Sequence, residues 1–333
     1  MVSAASSITF ALVPGPQRTT AEVVAEAEAL GFDGVWIGDQ GFGYDPFVVV
    51  AACAAATSRI RLGVGLTSPF TRLPVQIARA VATLHEGAEG RLALALGSGN
   101  IPHVLRPLGI EPDRPVRRLR DATLAIRSLL RGESVAFGAA MTEVRLDIPG
   151  SIEVPIYYGT RRPGMLRLAG EVGDGVLAES LFGGAGPEYV IAHVEEGAAR
   201  TARSLDAVDV VAWQVVVVTD DPPRTISEHR AWAARTIQNG PPEVMARIGV
   251  GVDVYERVME AMSRGDRDAA IAAVPDTAVS ALMAIDRPEA VAERLRAALD
   301  SGATSVNVLY VGSDEGLLPN LRRFAAEVMP ALR

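Results

Sequence analysis

Short apolar runs alternate with amphipathic segments along most of this chain, and the alternation repeats eight times. Runs of Val, Ile, Leu and Ala without polar alternation are typical of strands that are buried on both faces of a parallel sheet. Each run is followed by a segment with helical periodicity, so the repeat predicts right-handed strand–helix units. The predicted strands are Ile8–Pro14, Gly34–Gly38, Ile60–Leu66, Leu92–Leu96, Val154–Tyr158, Gly175–Ala178, Val208–Val218 and Ser305–Val311.

Eight such units predict an α/β fold in which the sheet closes on itself, a (β/α)8 TIM barrel. We predict a single domain over residues 1–333, with insertions after strands 4 and 7. The first insertion is a small β excursion at 132–148. The second, at 225–283, is rich in helix, and we expect it to cover the barrel mouth. The alternative is an open doubly wound sheet, but that fold needs a glycine-rich fingerprint after the first strand, and Val13–Pro16 is not one.

The composition excludes several classes of function. A net charge of −8 disfavours nucleic acids and membrane surfaces as partners, and no apolar run reaches the roughly 18 residues of a membrane span. The chain contains no lysine, since all 32 of its Lys and Arg residues are arginines. This excludes Schiff-base chemistry and a Walker-type lysine. Four scattered histidines and the single Cys53 form no metal-ligand pattern. One cysteine and no recognisable signal peptide favour a cytoplasmic protein.

Polar residues and glycines cluster at the C-terminal ends of five predicted strands, which is where TIM barrels hold their active sites. Ordinary turn chemistry explains any one of these ends, because the same residue types favour turns. Five such ends together predict a ligand pocket. Asp39 and Glu179 could each bind a ligand or cap a loop, and the same alternatives apply to Ser98 and Asn100. The five ends are Gly38–Gln40, Thr67–Pro74, Gly97–Asn100, Gly159–Arg162 and Glu179–Ser180.

The end of strand 5 combines a hydroxyl, two guanidiniums and the start of a helix. Pro163 suits the first helical turn, where backbone N–H groups have no partner within the helix. These N–H groups, together with Thr160, Arg161 and Arg162, form a set that binds phosphate. The alternative interpretation is an ordinary pair of surface arginines.

Several segments together resemble the bacterial luciferase-like superfamily, and most closely its branch that includes methylenetetrahydromethanopterin reductase. Leu66–Pro74 (LTSPFTRLP) is followed by a helix and then by Gly90–Asn100 (GRLALALGSGN). Residues 154–176 resemble the unit of strand 5, helix 5 and strand 6 in that family, and Arg287–Leu295 resembles the entry to its eighth helix. The resemblance runs from about residue 8 to residue 312 and is weak across 225–283.

The resemblance implies a TIM barrel, often homodimeric, that binds a deazaflavin, coenzyme F420, or less often FMN, at its mouth. It implies a bulge with a non-prolyl cis peptide at Gly65–Leu66 behind the cofactor ring. The ends of strands 3 and 4 would surround the ring, and the end of strand 5 would bind the cofactor phosphate. The residues thus implied in cofactor binding are Asp39, Gly65, Leu66, Thr67, Ser68, Gly97, Ser98, Gly99, Gly159, Thr160, Arg161 and Arg162.

Two residues depart from the family pattern and bear on the chemistry. Gln40 stands where members often have His, and Asn100 stands where they often have Glu or Asp. Neither amide titrates, so neither can act as a general acid or base. Glu179 and Asp39 remain as titratable candidates, and the catalytic candidates are therefore Asp39, Gln40, Asn100 and Glu179.

The leading hypothesis is an F420-dependent oxidoreductase that transfers a hydride between the cofactor and a small organic substrate, reducing a C=C or C=N bond. The cofactor supplies the hydride chemistry and the protein supplies orientation and electrostatics. The alternative is an FMN-dependent two-component monooxygenase, which needs a separate flavin reductase. A non-catalytic flavin-binding relative is a third hypothesis. No residue pattern identifies the substrate.

Overall fold

Parallel strands form the centre of the fold in the computed structural model, which describes residues 7–88, 90–137, 142–148, 150–312 and 314–333. In chain order the strands are β1 (Ser7–Leu12), β2 (Gly34–Ile37), β3 (Arg61–Thr67), β4 (Leu92–Leu96), β5 (Val135–Phe137), β6 (Thr142–Val144), β7 (Ile156–Gly159), β8 (Gly175–Glu179), β9 (Asp209–Val218), β10 (Met283–Asp286) and β11 (Ser305–Leu309). Strands β1, β2, β3, β4, β7, β8, β9 and β11 follow one another around a closed barrel, in which β11 pairs with both β9 and β1. The predicted (β/α)8 barrel is confirmed.

Each of the eight predicted barrel strands forms, and its ends shift by at most two residues from the predicted ones. The β excursion predicted at 132–148 contains the antiparallel pair β5 and β6. The turn that joins them, residues 138–141, lies outside the described residues.

The structure adds one strand that the sequence pattern did not separate from the helical insertion. β10 begins at Met283, where the prediction continued helix. It pairs with Val215–Val218, the part of β9 that extends beyond the end of β8. A four-residue apolar segment next to helices is too short for its periodicity to distinguish a strand from a helix. Only its pairing with β9, more than 60 residues earlier, distinguishes it.

Helices surround the barrel and fill the insertion. Several begin with proline at the first turn, as expected where the backbone N–H has no helical partner. Within the described ranges, no helix combines the length and apolar character that a membrane crossing requires. The helices are α1 (Gln17–Ala29), α2 (Pro46–Ala56), α3 (Pro74–Ala88), α4 (Pro115–Leu130), α5 (Pro163–Val172), α6 (Gly186–Ala199), α7 (Pro222–Glu228), α8 (Arg230–Asn239), α9 (Pro242–Arg247), α10 (Val252–Ser263), α11 (Arg267–Ala272), α12 (Asp276–Leu282), α13 (Pro288–Asp300) and α14 (Asp314–Glu327).

The hydrophobic core has two parts. The larger part lies between the outer faces of the strands and the helices. The smaller part fills the barrel interior with inward-pointing side chains. Successive strand residues point to opposite faces. The residue two positions further along each strand from an interior position therefore also points inward. The interior cluster consists of Ala11, Trp36, Ala95, Tyr157, Leu177 and Val211.

Candidate active site

Four neighbouring strands present glycine at the inward position nearest the barrel mouth. Gly38 lies two residues beyond Trp36, and the same spacing separates Gly97 from Ala95 and Gly159 from Tyr157. Gly65 is the corresponding residue of β3, and a Cβ there would lie 2.8 Å from Cβ of Ala95. We call Gly38, Gly65, Gly97 and Gly159 the glycine floor. Because these residues have no side chains, the side chain of Leu66 can pack directly against Gly97 and Gly159.

Leu66 lies above the glycine floor. A Cβ on Gly97 would approach Cβ of Leu66 to 3.3 Å, and a Cβ on Gly159 would overlap the end of the Leu66 side chain. The pairing of β3 with β4 shifts register between Val64 and Thr67, so the predicted bulge is present. The Gly65–Leu66 peptide is cis, as predicted. Leu66 lies within β3 at this bulge and presents an exposed apolar face at the mouth.

A hydrogen-bond network fixes Asp39 beside the bulge. The hydroxyl of the fully buried Thr67 donates to Asp39 Oδ2 at 2.9 Å. Nε of Arg72 lies 3.5 Å from the same oxygen, and Arg72 Nη2 lies 2.6 Å from Asp45 Oδ2. Arg72 therefore joins the ends of β2 and β3, a structural role rather than a catalytic one. Asp39 also accepts a hydrogen bond from the Gly41 N–H, so it caps its own loop as well.

Gln40 and Asn100 lie at the mouth with different surroundings. The Gln40 amide nitrogen lies 3.2 Å from the position that a Cβ on Gly38 would occupy, so the amide folds back over the glycine floor. The Asn100 side chain accepts a hydrogen bond from the His103 N–H at 3.4 Å and caps the short π-helical turn Ile101–Leu105. The capping alternative for Asn100 thus has a partner in the structure, whereas Gln40 is free to meet a ligand.

The structure places Ser68, Ser98 and Gly99 together beside the floor. Ser68 is buried, and its hydroxyl accepts a hydrogen bond from the Phe70 N–H at 3.3 Å. Gly99 has φ +86°, and a Cβ there would lie 3.3 Å from the Ser68 hydroxyl oxygen. A side chain at position 99 would therefore be strained and would crowd Ser68. Ser98 remains half-buried between the two glycines of this turn.

The end of β7 leads directly into α5, as the phosphate-site prediction requires. Pro163 occupies the first helical position, and Arg162 precedes it with no side-chain cap on the helix. The Thr160 hydroxyl accepts a hydrogen bond from the Arg162 N–H at 3.0 Å. Arg162 is exposed. The helix start and Arg162 are thus available to an anion, which a helix N-terminus favours.

Arg161 points to a different partner than the predicted phosphate. Its Nη2 lies 2.8 Å from Glu179 Oε2, and its Nε donates to the Glu179 backbone oxygen at 3.0 Å. Only 14% of the Arg161 side chain is exposed. The arginine joins the ends of β7 and β8, so of the predicted guanidinium pair only Arg162 is unengaged in the described structure.

Glu179 and Trp213 occupy the half of the mouth opposite the glycine floor. Glu179 is the inward position after Leu177 on β8, and Trp213 follows Val211 on β9. Sequence reasoning missed Trp213, because its position follows only from the pairing of β9 with β8, in which it lies opposite Glu179.

A polar cavity at the opposite end of the barrel is closed by its own hydrogen bonds. Tyr157 donates to Asp209 Oδ2 at 2.9 Å, and Ser305 donates to the other carboxylate oxygen at 2.8 Å. Burial raises the pKa of Tyr157 above its usual range. These groups satisfy one another at the N-terminal ends of the strands, far from the residues described above. In the described part of the chain, no group of three His, Cys, Asp or Glu side chains could hold a metal ion.

Comparison with known proteins agrees with this barrel and its features. The chain is 30% identical over 330 residues to the 5,10-methylenetetrahydromethanopterin reductase of Methanopyrus kandleri, covering 92% of each chain. It is 30% identical over 328 residues to the F420-dependent glucose-6-phosphate dehydrogenase of Beutenbergia cavernae, covering 92% of this chain and 91% of the relative. The solved coenzyme F420 dependent tetrahydromethanopterin reductase from Methanopyrus kandleri superposes with a TM-score of 0.86 at 27% identity. That superposition covers 99% of this chain and 100% of the other.

The family model described as luciferase-like monooxygenase matches residues 5–305, which is most of the chain. The match includes every strand end of the glycine floor and both partners of the Arg161–Glu179 pair. The resemblance inferred from the sequence motifs is confirmed, and this chain belongs to the luciferase-like monooxygenase family.

Proposed function

We propose that this protein is an oxidoreductase that transfers a hydride between coenzyme F420 and a small organic substrate, reducing a C=C or C=N bond. Two relatives named for F420 or for methanopterin reduction share 30% identity across almost their whole length with this chain. The observation that carries the proposal is the Leu66 side chain, which packs on Gly97 and Gly159 of the glycine floor and turns an exposed apolar face to the mouth. A planar deazaflavin ring fits such a surface, and when bound it supplies the hydride chemistry.

The residues that would hold the cofactor lie on one side of the mouth. The glycine floor and Leu66 would contact the ring, and the buried Thr67 and Asp39 would keep the bulge in position. The start of α5 with Thr160 and Arg162 would bind the phosphate through backbone N–H groups and one guanidinium. Gly99, Ser98 and Ser68 would border the ring on the β4 side.

The proton that accompanies hydride transfer has no obvious donor among the mouth residues. Gln40 and Asn100 do not titrate, while Asp39 and Glu179 are both engaged by arginines. We infer that Gln40 orients the substrate by hydrogen bonding and that the proton comes from solvent or from the substrate. Of the four catalytic candidates, we therefore expect Gln40 alone to contact the substrate freely; the other three are Asp39, Asn100 and Glu179.

We also infer that the insertion at 225–283 borders the substrate side of the mouth. His229, between α7 and α8, lies with Nε2 2.7 Å from the backbone oxygen of Val311, two residues beyond the C-terminal end of β11. Arg294 of α13 donates to the backbone oxygens of Ala281 and Met283, at 2.8 Å and 2.7 Å. The first contact holds the insertion beside the end of β11, and the second holds α12 and the start of β10 to α13.

A homodimer is the assembly that we propose, and an apolar helix face supports it. The eleven residues of α2 include no charged side chain, yet Val48 is 51% exposed. Leu73, next to the start of α3, is 55% exposed, and α3 packs beside α2. Light scattering coupled to size exclusion should give twice the mass of one chain, and Val48→Glu should reduce the measured mass to that of one chain.

The cytoplasmic location stays a prediction.

An anaerobic binding experiment tests the proposed function directly. Purified protein is titrated with F420 and, separately, with FMN, and the quenching of cofactor fluorescence gives each dissociation constant. We expect F420 to bind at least about tenfold more tightly than FMN. Gly159→Val should lose this binding, because its side chain would overlap Leu66, while Gly87→Ala, on an open helix surface, should retain it.

The same titration separates the alternatives. Tight FMN binding with oxygen-dependent turnover of reduced FMN would overturn the proposal in favour of a two-component monooxygenase. F420 binding without hydride transfer to any member of a broad panel of enones, imines and carbonyl compounds would identify a non-catalytic relative.

A further inference from the structure

A surface cleft with a volume of about 590 Å³ lies between α4 and α5. The first turn of α4 forms one wall, and Leu168 and Glu171 of α5 contribute to the other. Three arginines line the cleft, namely Arg114, Arg117 and Arg120. The chain as a whole has a net charge of −8, so three guanidiniums around one cleft run against its overall charge.

Two contacts place this cleft beside the proposed cofactor site. Arg118 of α4 donates from Nη2 to the backbone oxygen of Pro69, in the loop that follows β3, at 3.4 Å. Val116, which lines the cleft, packs on the start of α5, because a Cβ on Gly164 would lie 3.4 Å from Val116 Cγ2. Gly164 directly follows Pro163, the first residue of α5. The cleft and the proposed phosphate site therefore meet at the contact between Val116 and Gly164.

The buried carboxylate of the cleft already has two cationic partners. Glu171 Oε2 lies 2.6 Å from Arg120 Nη2, and Glu171 Oε1 lies 3.1 Å from Arg200 Nη1. Only 14% of the Glu171 side chain is exposed. Nε of Arg120 is buried and has no hydrogen-bond partner among the described residues. Two guanidiniums thus offset the charge of Glu171, so this carboxylate does not exclude an anion from the cleft.

Arg114 and Arg117 keep their hydrogen-bonding capacity for a ligand. Arg117 Nε lies 3.6 Å from Asp121 Oδ2, and Arg114 Nε lies 3.9 Å from Asp113 Oδ1. Both distances are too long for a hydrogen bond, and ion pairs between such exposed side chains are weak. A carboxylate in the cleft could instead accept two parallel hydrogen bonds from a guanidinium, which is a stronger and more specific contact.

We propose that this cleft binds the carboxylates that coenzyme F420 carries beyond its phosphate, with Arg114 and Arg117 as their partners. The inference rests on the proposed function, because it takes the start of α5 as the phosphate site. An acidic group attached to a phosphate at that helix start would need to extend only past the contact between Val116 and Gly164 to enter the cleft. The site would then affect cofactor affinity and leave the choice of substrate to the other side of the mouth.

Two forms of the cofactor test this proposal: intact F420 and a form truncated after its phosphate. Each is titrated anaerobically into the full-length protein, and the quenching of cofactor fluorescence gives its dissociation constant without any turnover. We expect the wild type to bind intact F420 about tenfold or more tightly than the truncated form, since charge-assisted contacts are added. The preference should decrease as ionic strength rises, because the two arginines are exposed.

The double variant Arg114→Met/Arg117→Met should lose this preference and bind both forms as the wild type binds the truncated one. The matched control is Arg18→Met. Arg18 is an exposed arginine in the first turn of α1 with a carboxylate four residues later, as Arg117 has in α4. This control should retain the full preference for intact F420. Circular dichroism and thermal unfolding establish that each variant is folded.

Equal affinity of the wild type for the two forms would overturn the proposal, as would an undiminished preference in the double variant. An equal loss of affinity for both forms would assign the arginines to the phosphate itself and also contradict it. In each of these cases, binding of the truncated form by the wild type leaves the proposed function standing. If the wild type binds neither form, the proposed function fails, and this inference fails with it.

Discussion

Arg161 and Glu179 join the ends of two neighbouring barrel strands through two contacts. Arg161 Nη2 lies 2.8 Å from Glu179 Oε2, and Arg161 Nε donates to the Glu179 backbone oxygen at 3.0 Å. The pair is partly shielded from water, because 14% of the arginine and 32% of the glutamate side chain are exposed. Arg161 thus occupies both a side-chain oxygen and the backbone oxygen of Glu179, and this contact favours a structural role for the glutamate over that of a proton donor.

Glu179→Gln tests that conclusion. The amide oxygen can still accept from Arg161, so the fold and the arginine position should persist. We expect kcat for F420-dependent reduction to change by less than about tenfold, and the shape of the pH–rate profile to be retained. Loss of a general acid would lower kcat by about 100- to 10,000-fold and remove one limb of the profile, and that outcome would reinstate Glu179 as the proton donor.

Arg72→Met tests whether Arg72 stabilises the fold by joining the ends of β2 and β3. The variant leaves Asp39 and Asp45 without their shared cation, and the Arg72 side chain is only 31% exposed. We expect the free energy of unfolding to fall by about 1–2 kcal/mol in urea titrations, after allowing for solvent screening. F420 should also bind more weakly, because Thr67 and the bulge lose support. The control Arg79→Met, on the exposed face of α3, should change the free energy of unfolding by less than about 0.5 kcal/mol. A similar loss of unfolding free energy in both variants would contradict the proposed role of Arg72.

The barrel and much of its mouth could be predicted from the sequence because both depend on local patterns. The eight strands are continuous apolar runs, and the bulge at Gly65–Leu66 is implied by the family resemblance that several segments carry together. The pairing of Arg161 with Glu179 could not be predicted, since the two residues are 18 positions apart and the sequence offers an equally good phosphate role for the arginine. The strand β10 depends on how an insertion folds back onto β9, which only tertiary contacts determine.

Cys53 offers a prediction about pH. The side chain is fully buried in α2, and burial raises the pKa of its thiol from 9.0 to about 12. The unfolded thiol ionises near pH 9 and the folded one does not. The stabilising contribution is therefore complete below pH 9 and is lost as the pH rises from about 9 to about 12. Cys53→Ala should show a smaller decrease in unfolding free energy over this range, whereas parallel pH profiles would contradict the prediction.

The close contact between α5 and α6 provides the final prediction. A Cβ on Gly170 would overlap the backbone oxygen of Val194, and one on Gly197 would overlap the backbone oxygen of Arg167. Backbone atoms cannot rotate away as a flexible side chain can, so the helices would have to separate. We expect Gly170→Ala to lower the free energy of unfolding by about 2–3 kcal/mol in urea titrations.

Gly87→Ala is the matched control for this substitution. Gly87 lies in α3 with no atom within 4 Å of an added Cβ, so only helix propensity changes. Alanine there should raise the free energy of unfolding by about 0.5–1 kcal/mol, the opposite sign from Gly170→Ala. If both alanine variants were stabilised, the two helices would be able to move apart at little expense, and glycine at position 170 would not be required for their contact.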